Sequence, residues 1–269
     1  MNTHVPIGLG IGVIAAVALV YLSVTVGLWR TGTGEARGRL LAGLTAWLAL
    51  GVLLGALGAF ATTYHRPVPV IAFGIVLPIP IGLLLLRRPS PLTRLLDSIP
   101  PRALVRVQLY RVAGVVFIVG WAAGRIPAIF ALPAGIGDIA VGLAAPFVAA
   151  RLGDGSERSR RLAVWWNIEG IADLVLAVAL GASTSPSPIW PTLLGHPNTL
   201  ISRLPLVLIP VFAVPLSVLL HVVTLRRLRA AARQRVWFPL DASTLATRQV
   251  EPIRWRGAGL RAGPHASLS

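Results

Sequence analysis

Seven stretches of this chain run about 20 residues each with almost no charge, and nothing else constrains the fold as tightly. They are Val5–Trp29, Leu40–Thr63, Pro67–Leu86, Leu104–Gly124, Pro133–Ala150, Leu162–Ala182 and Leu204–Leu225. A helix needs about 20 apolar residues to cross a hydrocarbon layer ~30 Å thick, whereas a buried core helix of a soluble domain is shorter. Inside a bilayer the backbone must satisfy its own hydrogen bonds, so such stretches fold as helices. Composition agrees: 13% of the 269 residues are charged, against roughly 25% in soluble domains. The expected fold is an all-α bundle of seven transmembrane helices over residues 1–225, followed by a basic, largely disordered cytoplasmic tail over 226–269.

The gaps give the orientation. All 25 basic residues are arginine, with no lysine. Arg30, Arg37 and Arg39 follow the first stretch. Arg87, Arg88, Arg94, Arg102 and Arg106 surround the third gap. Arg151, Arg158, Arg160 and Arg161 fill the fifth, and the tail begins Arg226, Arg227, Arg229. The opposite side holds only Arg66, Arg125 and Arg203. Cytoplasmic loops carry the basic excess, which places the N-terminus outside and the C-terminus inside. The net charge of +16 is therefore read as topology and as attraction to anionic lipid headgroups along Arg226–Arg235, and not as a nucleic-acid footprint. Arginine without lysine, with abundant alanine, glycine and proline, fits a GC-rich bacterial source, hence the inner membrane of a bacterium.

Local signals refine the spans. The third carries Pro78 and Pro80 in its middle, where missing N–H donors predict a break or kink. The linker RRPSPLTRLLDSIPPRAL at 87–104 suits a short interfacial helix, and Ser183–Arg203 an irregular segment at the opposite interface. Gly51 and Gly55, then Gly120 and Gly124, are small-xxx-small pairs of the kind that let helices approach.

The polar residues inside the spans carry the functional signal, because charge near the bilayer centre is costly and tends to be functional. Asp138, Glu169 and Asp173 fall inside spans, as do Gln108, Arg111, Asn167 and His221. At ~1.5 Å per residue, Arg111 and Glu169 lie roughly 5 Å inward of the midplane and Asp173 close to it. Asp138 lies roughly 5 Å outward and His221 roughly 10 Å inward. Glu169 and Asp173, four apart, share a face, so Arg111 can pair with either if the fourth and sixth spans are neighbours. Asn167 points away from that face, and one pocket is not expected to hold every group. In PAGIGD, Pro133 suits a helix start, which would put Asp138 in the first turns, where the helix dipole favours an acid. Two readings stay open: an ion pair that fixes helix register, or protonatable acids along a permeation path.

Several chemistries are excluded. There is no cysteine, hence no disulfide and no thiolate chemistry. Retinal attachment needs a lysine amine, which is missing. A seven-helix zinc hydrolase needs several histidines clustered at one membrane face and a bis-histidine haem needs partners at matching depth, and only His221 lies in a span; His4, His65 and His196 lie outside, where they could meet around a metal but nothing in their spacing requires it. No nucleophile elbow or phosphate-binding glycine loop occurs in a suitable context. No cofactor is called for, and an enzymatic role is disfavoured.

The second half resembles a group of uncharacterised bacterial multi-pass membrane proteins. The resemblance is carried by QLYRVAG at 108–114, FALPAGIGD at 130–138, WNIEGIADL at 166–174 and PNTLISRLPLVLIPVFAVPLSVLLHVVTL at 197–225. It implies that Gln108, Arg111, Asp138, Asn167, Asp173 and His221 form a shared polar set, with Glu169 peripheral, and it brings no activity with it. The leading expectation is transport of a small solute or ion, coupled to protons, between spans four and seven. The alternative is a receptor-like or accessory membrane subunit with a structural ion-pair network.

Overall fold

In a computed structural model of the protein, the described residues are 5–31, 34–62, 70–186 and 197–237. They are mostly helical, with no strand among them. In chain order the α-helices are α1 (Ile7–Thr31), α2 (Glu35–Ala56), α3 (Val70–Val76), α4 (Pro78–Arg87), α5 (Pro91–Ser98), α6 (Pro101–Val107), α7 (Val115–Ala122), α8 (Ala128–Arg151), α9 (Glu157–Thr184) and α10 (Val214–Trp237). Seven helical runs are long and apolar enough to cross a membrane: Ile7–Arg30, Glu35–Ala56, Val70–Arg87, Pro101–Ala122, Ala128–Asp154, Glu157–Thr184 and Ile209–Ala232. The protein is thus a multi-pass helical membrane protein. His4, His65 and His196, residues 187–196 of the 183–203 segment and the tail beyond residue 237 lie outside the described residues. Met1–Ala231 forms one compact unit, and Ala232–Ser269 is a second.

Burial sorts the spans. Half of the fourth span's apolar window and 56% of the seventh's are buried, against 6% and 11% for the second and third. Spans four and seven are the centre, and two and three lie at the edge. The first span presents Leu9, Val13, Ala16, Val17, Val20, Val24 and Leu28 to the core, a three-and-four spacing that marks one helix face. Edge helices are clipped on at glycines. A side chain at Gly51 would meet Leu208 and Val211, one at Gly74 would meet Val211, and one at Gly82 would meet Leu219. Close backbone approach of this kind replaces the hydrophobic drive that lipid removes. Gly120 abuts Ile126, but Gly124 does not pack between helices. With φ +65° and open space around it, it ends α7 in the left-handed turn that favours glycine.

Three helices depart from regular geometry. The third span divides at Leu77, with Pro78 opening α4, because Pro78 and Pro80 cannot donate to the preceding turn. The fourth changes between α6 and α7 to a 3₁₀ helix over Gln108–Gly114. The seventh opens in a π-helical turn over Ile209–Ala213, just before Pro215. Irregular 3₁₀ and π segments recur at functional sites, and residues of both line one small cavity.

At the arginine-rich end, the 87–104 linker forms α5. Ser90 and Thr93 cap it reciprocally, satisfying two otherwise orphaned donors. Arg226 donates to Asp97 at 2.8 Å and to the carbonyl of Leu86, and Arg227 donates to the carbonyl of Ile99 at 3.2 Å. These bonds tie the seventh span to the third span and its linker.

Candidate functional site

Arg111 is the hub, and the 3₁₀ segment explains its setting. Residues three apart eclipse each other in a 3₁₀ helix, so Gln108, Arg111 and Gly114 lie on one line, and all three are buried. The fourth and fifth spans come close enough to touch there only because each presents a glycine to the contact. A methyl at Gly142 would sit 2.7 Å from the backbone nitrogen of Val112, and one at Gly114 would collide with Asp138.

Four of the five guanidinium hydrogens are used. Nε donates to Asp138 Oδ1 at 2.7 Å, and Nη2 to Asp173 Oδ2 at 2.5 Å. Nη1 reaches the carbonyl of Gly170 and Nε2 of His221, both at 3.1 Å. The Arg111 side chain is 1% exposed, Asp173 9% and Asp138 18%. One cation therefore faces two carboxylates in a nearly dry setting.

The bonding fixes the histidine tautomer. Arginine only donates, so His221 Nε2 accepts and its hydrogen sits on Nδ1. Nδ1 lies 2.9 Å from Asn167 Oδ1, while Asn167 Nδ2 donates to the carbonyl of Ala163 at 2.7 Å. The chain of bonds runs Arg111, His221, Asn167, Ala163, and Trp166 packs on the imidazole with ring centroids 5.3 Å apart.

Three sequence-based expectations need correction. Asn167 belongs to the cluster, and Glu169 does not. On α9, Gly170 lies between Asn167 and Asp173, three residues from each, so at 100° per residue both flank it by about 60°. The glycine lets His221 and Arg111 press in between them. A methyl at Gly170 would stand 2.5 Å from the imidazole. Glu169 lies further round and is exposed on the outer side of α9. Asp138 also differs from expectation. Pro133 lies inside α8, which is capped by Pro127 and starts at Ala128, so Asp138 is roughly three turns into the helix and owes its place to Arg111 and not to a helix end.

A polar branch unmarked in the sequence reading leads towards the first span. Ser217 donates to the carbonyl of Ala213 at 2.7 Å, so its hydroxyl accepts from Tyr110 at 2.8 Å. Gln108 Nε2 donates weakly to the Ser217 carbonyl at 3.4 Å, while its Oε1 is buried without a partner among the described residues. Asp138, Arg111, Tyr110 and Ser217 border a cavity of about 40 Å³ whose opposite wall is Ala16, Val17 and Val20 of α1 among others. A water needs roughly 10–15 Å³ of such space, so the cavity can admit water. Among the described residues no group of three metal-ligating side chains could hold an ion. Tyr110→Phe removes one bond and is expected to cost about 0.5–1.5 kcal/mol, whereas Ser217→Ala strands the buried phenol and costs about 1–3 kcal/mol. Thermal unfolding in detergent measures both; the reverse order would refute the bonding direction.

The family model for a domain of unknown function (DUF8737) matches residues 68–229. No curated protein and no solved structure matches the chain. The matched stretch is more than half of the chain and holds every member of the buried cluster, and the protein belongs to the DUF8737 family.

Proposed function

We propose that the protein is a proton-coupled transporter of a small solute or ion in the bacterial inner membrane, with its N-terminus outside and its C-terminus in the cytoplasm. The arginine distribution between gaps supports the orientation. The observation that carries the functional reading is the charge count: among the described residues Arg111 alone pairs with both Asp138 and Asp173. In a low-dielectric interior an uncompensated charge is strongly disfavoured, so this trio calls for one more positive charge, a proton or a bound cation. Asp138 is the exchanging group in this reading. It borders the water-sized cavity and is the more exposed of the two acids. Asp173 and Arg111 form the fixed pair, and His221 and Asn167 hold Arg111 in place. Loading and unloading Asp138 would bias the irregular turns of spans four and seven between two arrangements.

Asp138→Asn keeps an acceptor for Arg111 Nε and leaves a neutral one-to-one pair, so it is expected to fold normally. In proteoliposomes carrying a pH-sensitive dye it should reduce proton-coupled flux at least tenfold, with stability unchanged. Wild-type protein without pH- or solute-dependent flux would sink the reading. One observation favours a second one: four of Arg111's five hydrogens are already satisfied, as in a register-fixing lock within a receptor-like or accessory subunit. That reading expects no flux from either protein, and loss of stability as the main effect of changes at Arg111.

A further inference from the structure

We infer that the arginine-rich end of the bundle holds a built site for a phosphate-bearing anion, between the third and seventh spans, and that its occupant is the headgroup of an anionic phospholipid. The site is an open hollow of about 510 Å³ lined by Leu83, Leu86, Arg87, Arg88, Val222, Arg226 and Arg229 among others. It stands apart from the carboxylate cluster and does not depend on it.

Topology alone requires arginines near this end, anywhere on the loops. It does not require them to converge. Val222, Arg226 and Arg229 follow each other at four and three residues, so they share one face of α10. Arg87 closes α4, and Arg88 follows in extended backbone, turning the chain over the same hollow. The frame is rigid because Arg226 is bonded to both the Leu86 carbonyl and Asp97. Arg226 is thereby neutralised and fixed. The guanidinium groups of Arg87, Arg88 and Arg229 make no ion pair or hydrogen bond among the described residues. Three unspent guanidiniums around one cavity match the tetrahedral oxygens of a phosphate, which arginine engages by paired donors.

The floor separates lipid from free phosphate. Leu83, Leu86 and Val222 line the hollow, and Leu84 and Leu85 on the same helix are exposed at 56% and 49%. A headgroup at the arginines would lay its acyl chains along this apolar surface, as basic pockets between spans do with anionic lipids. A free phosphate would gain nothing from the floor.

The test uses the purified full chain in zwitterionic detergent, titrated with phosphatidylglycerol, phosphatidylcholine or inorganic pyrophosphate and followed by native mass spectrometry. One variant carries Arg87→Gln, Arg88→Gln and Arg229→Gln. A second carries Arg94→Gln, Arg102→Gln and Arg158→Gln, with the same charge change at the same end but outside the hollow. Phosphatidylglycerol should bind the wild type in preference to phosphatidylcholine. At roughly fivefold per arginine, the hollow variant should lose about a hundredfold in affinity, and the second variant less than tenfold. Pyrophosphate binding with the same dependence, and no preference for the anionic lipid, would keep the site but overturn the lipid assignment. Equal losses in both variants, or no phosphate-bearing ligand bound, would overturn the site itself. Leaving Arg226 intact keeps the frame folded, and the melting temperature of each variant confirms that losses are local.

Discussion

Arg111→Met is expected to destabilise the protein by about 3–5 kcal/mol, the usual result of removing one partner from a buried ionic group. The guanidinium serves Asp138, Asp173, the Gly170 carbonyl and His221 at once. Its loss strands two carboxylates and two acceptors in a largely buried setting. Methionine fills most of the volume, so the effect reports charge and hydrogen bonding more than a cavity. The same reasoning predicts rescue. Removing the charges that Arg111 balances, as in Arg111→Met with Asp138→Asn and Asp173→Asn, should restore roughly half of the loss, since neutral replacements of buried ionic clusters are often tolerated. Unfolding titrations in mixed micelles measure both. A single substitution costing under about 1 kcal/mol would show that the trio does not act as a buried ionic unit.

Gly142→Ala should be comparably severe, for a steric reason. Its new methyl would face the Val112 nitrogen at 2.7 Å and the Arg111 carbonyl carbon at 3.2 Å. Those are backbone atoms of the 3₁₀ segment and cannot swing aside as a rotamer can. Overpacking in cores costs about 1–3 kcal/mol when side chains can yield, and this contact should reach or pass the upper end. Separation of the fourth and fifth spans also lengthens the Arg111–Asp138 bond, so any proton-coupled flux should fall with stability. The control is Gly43→Ala in α2, where nothing lies within 4 Å. There alanine should be neutral or mildly stabilising, by up to about 1 kcal/mol from helix propensity. Equal melting temperatures for the two variants would refute the close-approach account.

The membrane spans were legible in the sequence because span length and hydropathy are local properties. Pro78 likewise told of the broken third span through its own missing donor. The identity of the polar cluster was legible in large part, since a charged group inside a span has few places to go. Which groups touch was harder. Counting from Asp173 places Glu169 on its face and Asn167 off it, yet the centre of the contacting face is Gly170, a residue with no side chain to announce itself. Pro133 misled for a related reason: inside a bundle, neighbours can satisfy the backbone group a proline frees, so a mid-helix proline reads as a start. The Tyr110–Ser217 bond left no trace in either residue's spacing, because it joins segments over a hundred residues apart.

The imidazole of His221 has a consequence for the proposed proton exchange at the cluster. Its Nε2 lone pair is turned to a guanidinium that can only give, and its Nδ1 hydrogen is committed to Asn167. A second hydrogen on that ring would stand against Arg111 and force the two apart. If the cluster exchanges protons as proposed, the exchange is thereby confined to the carboxylate flank of the arginine, and the histidine flank acts as insulation.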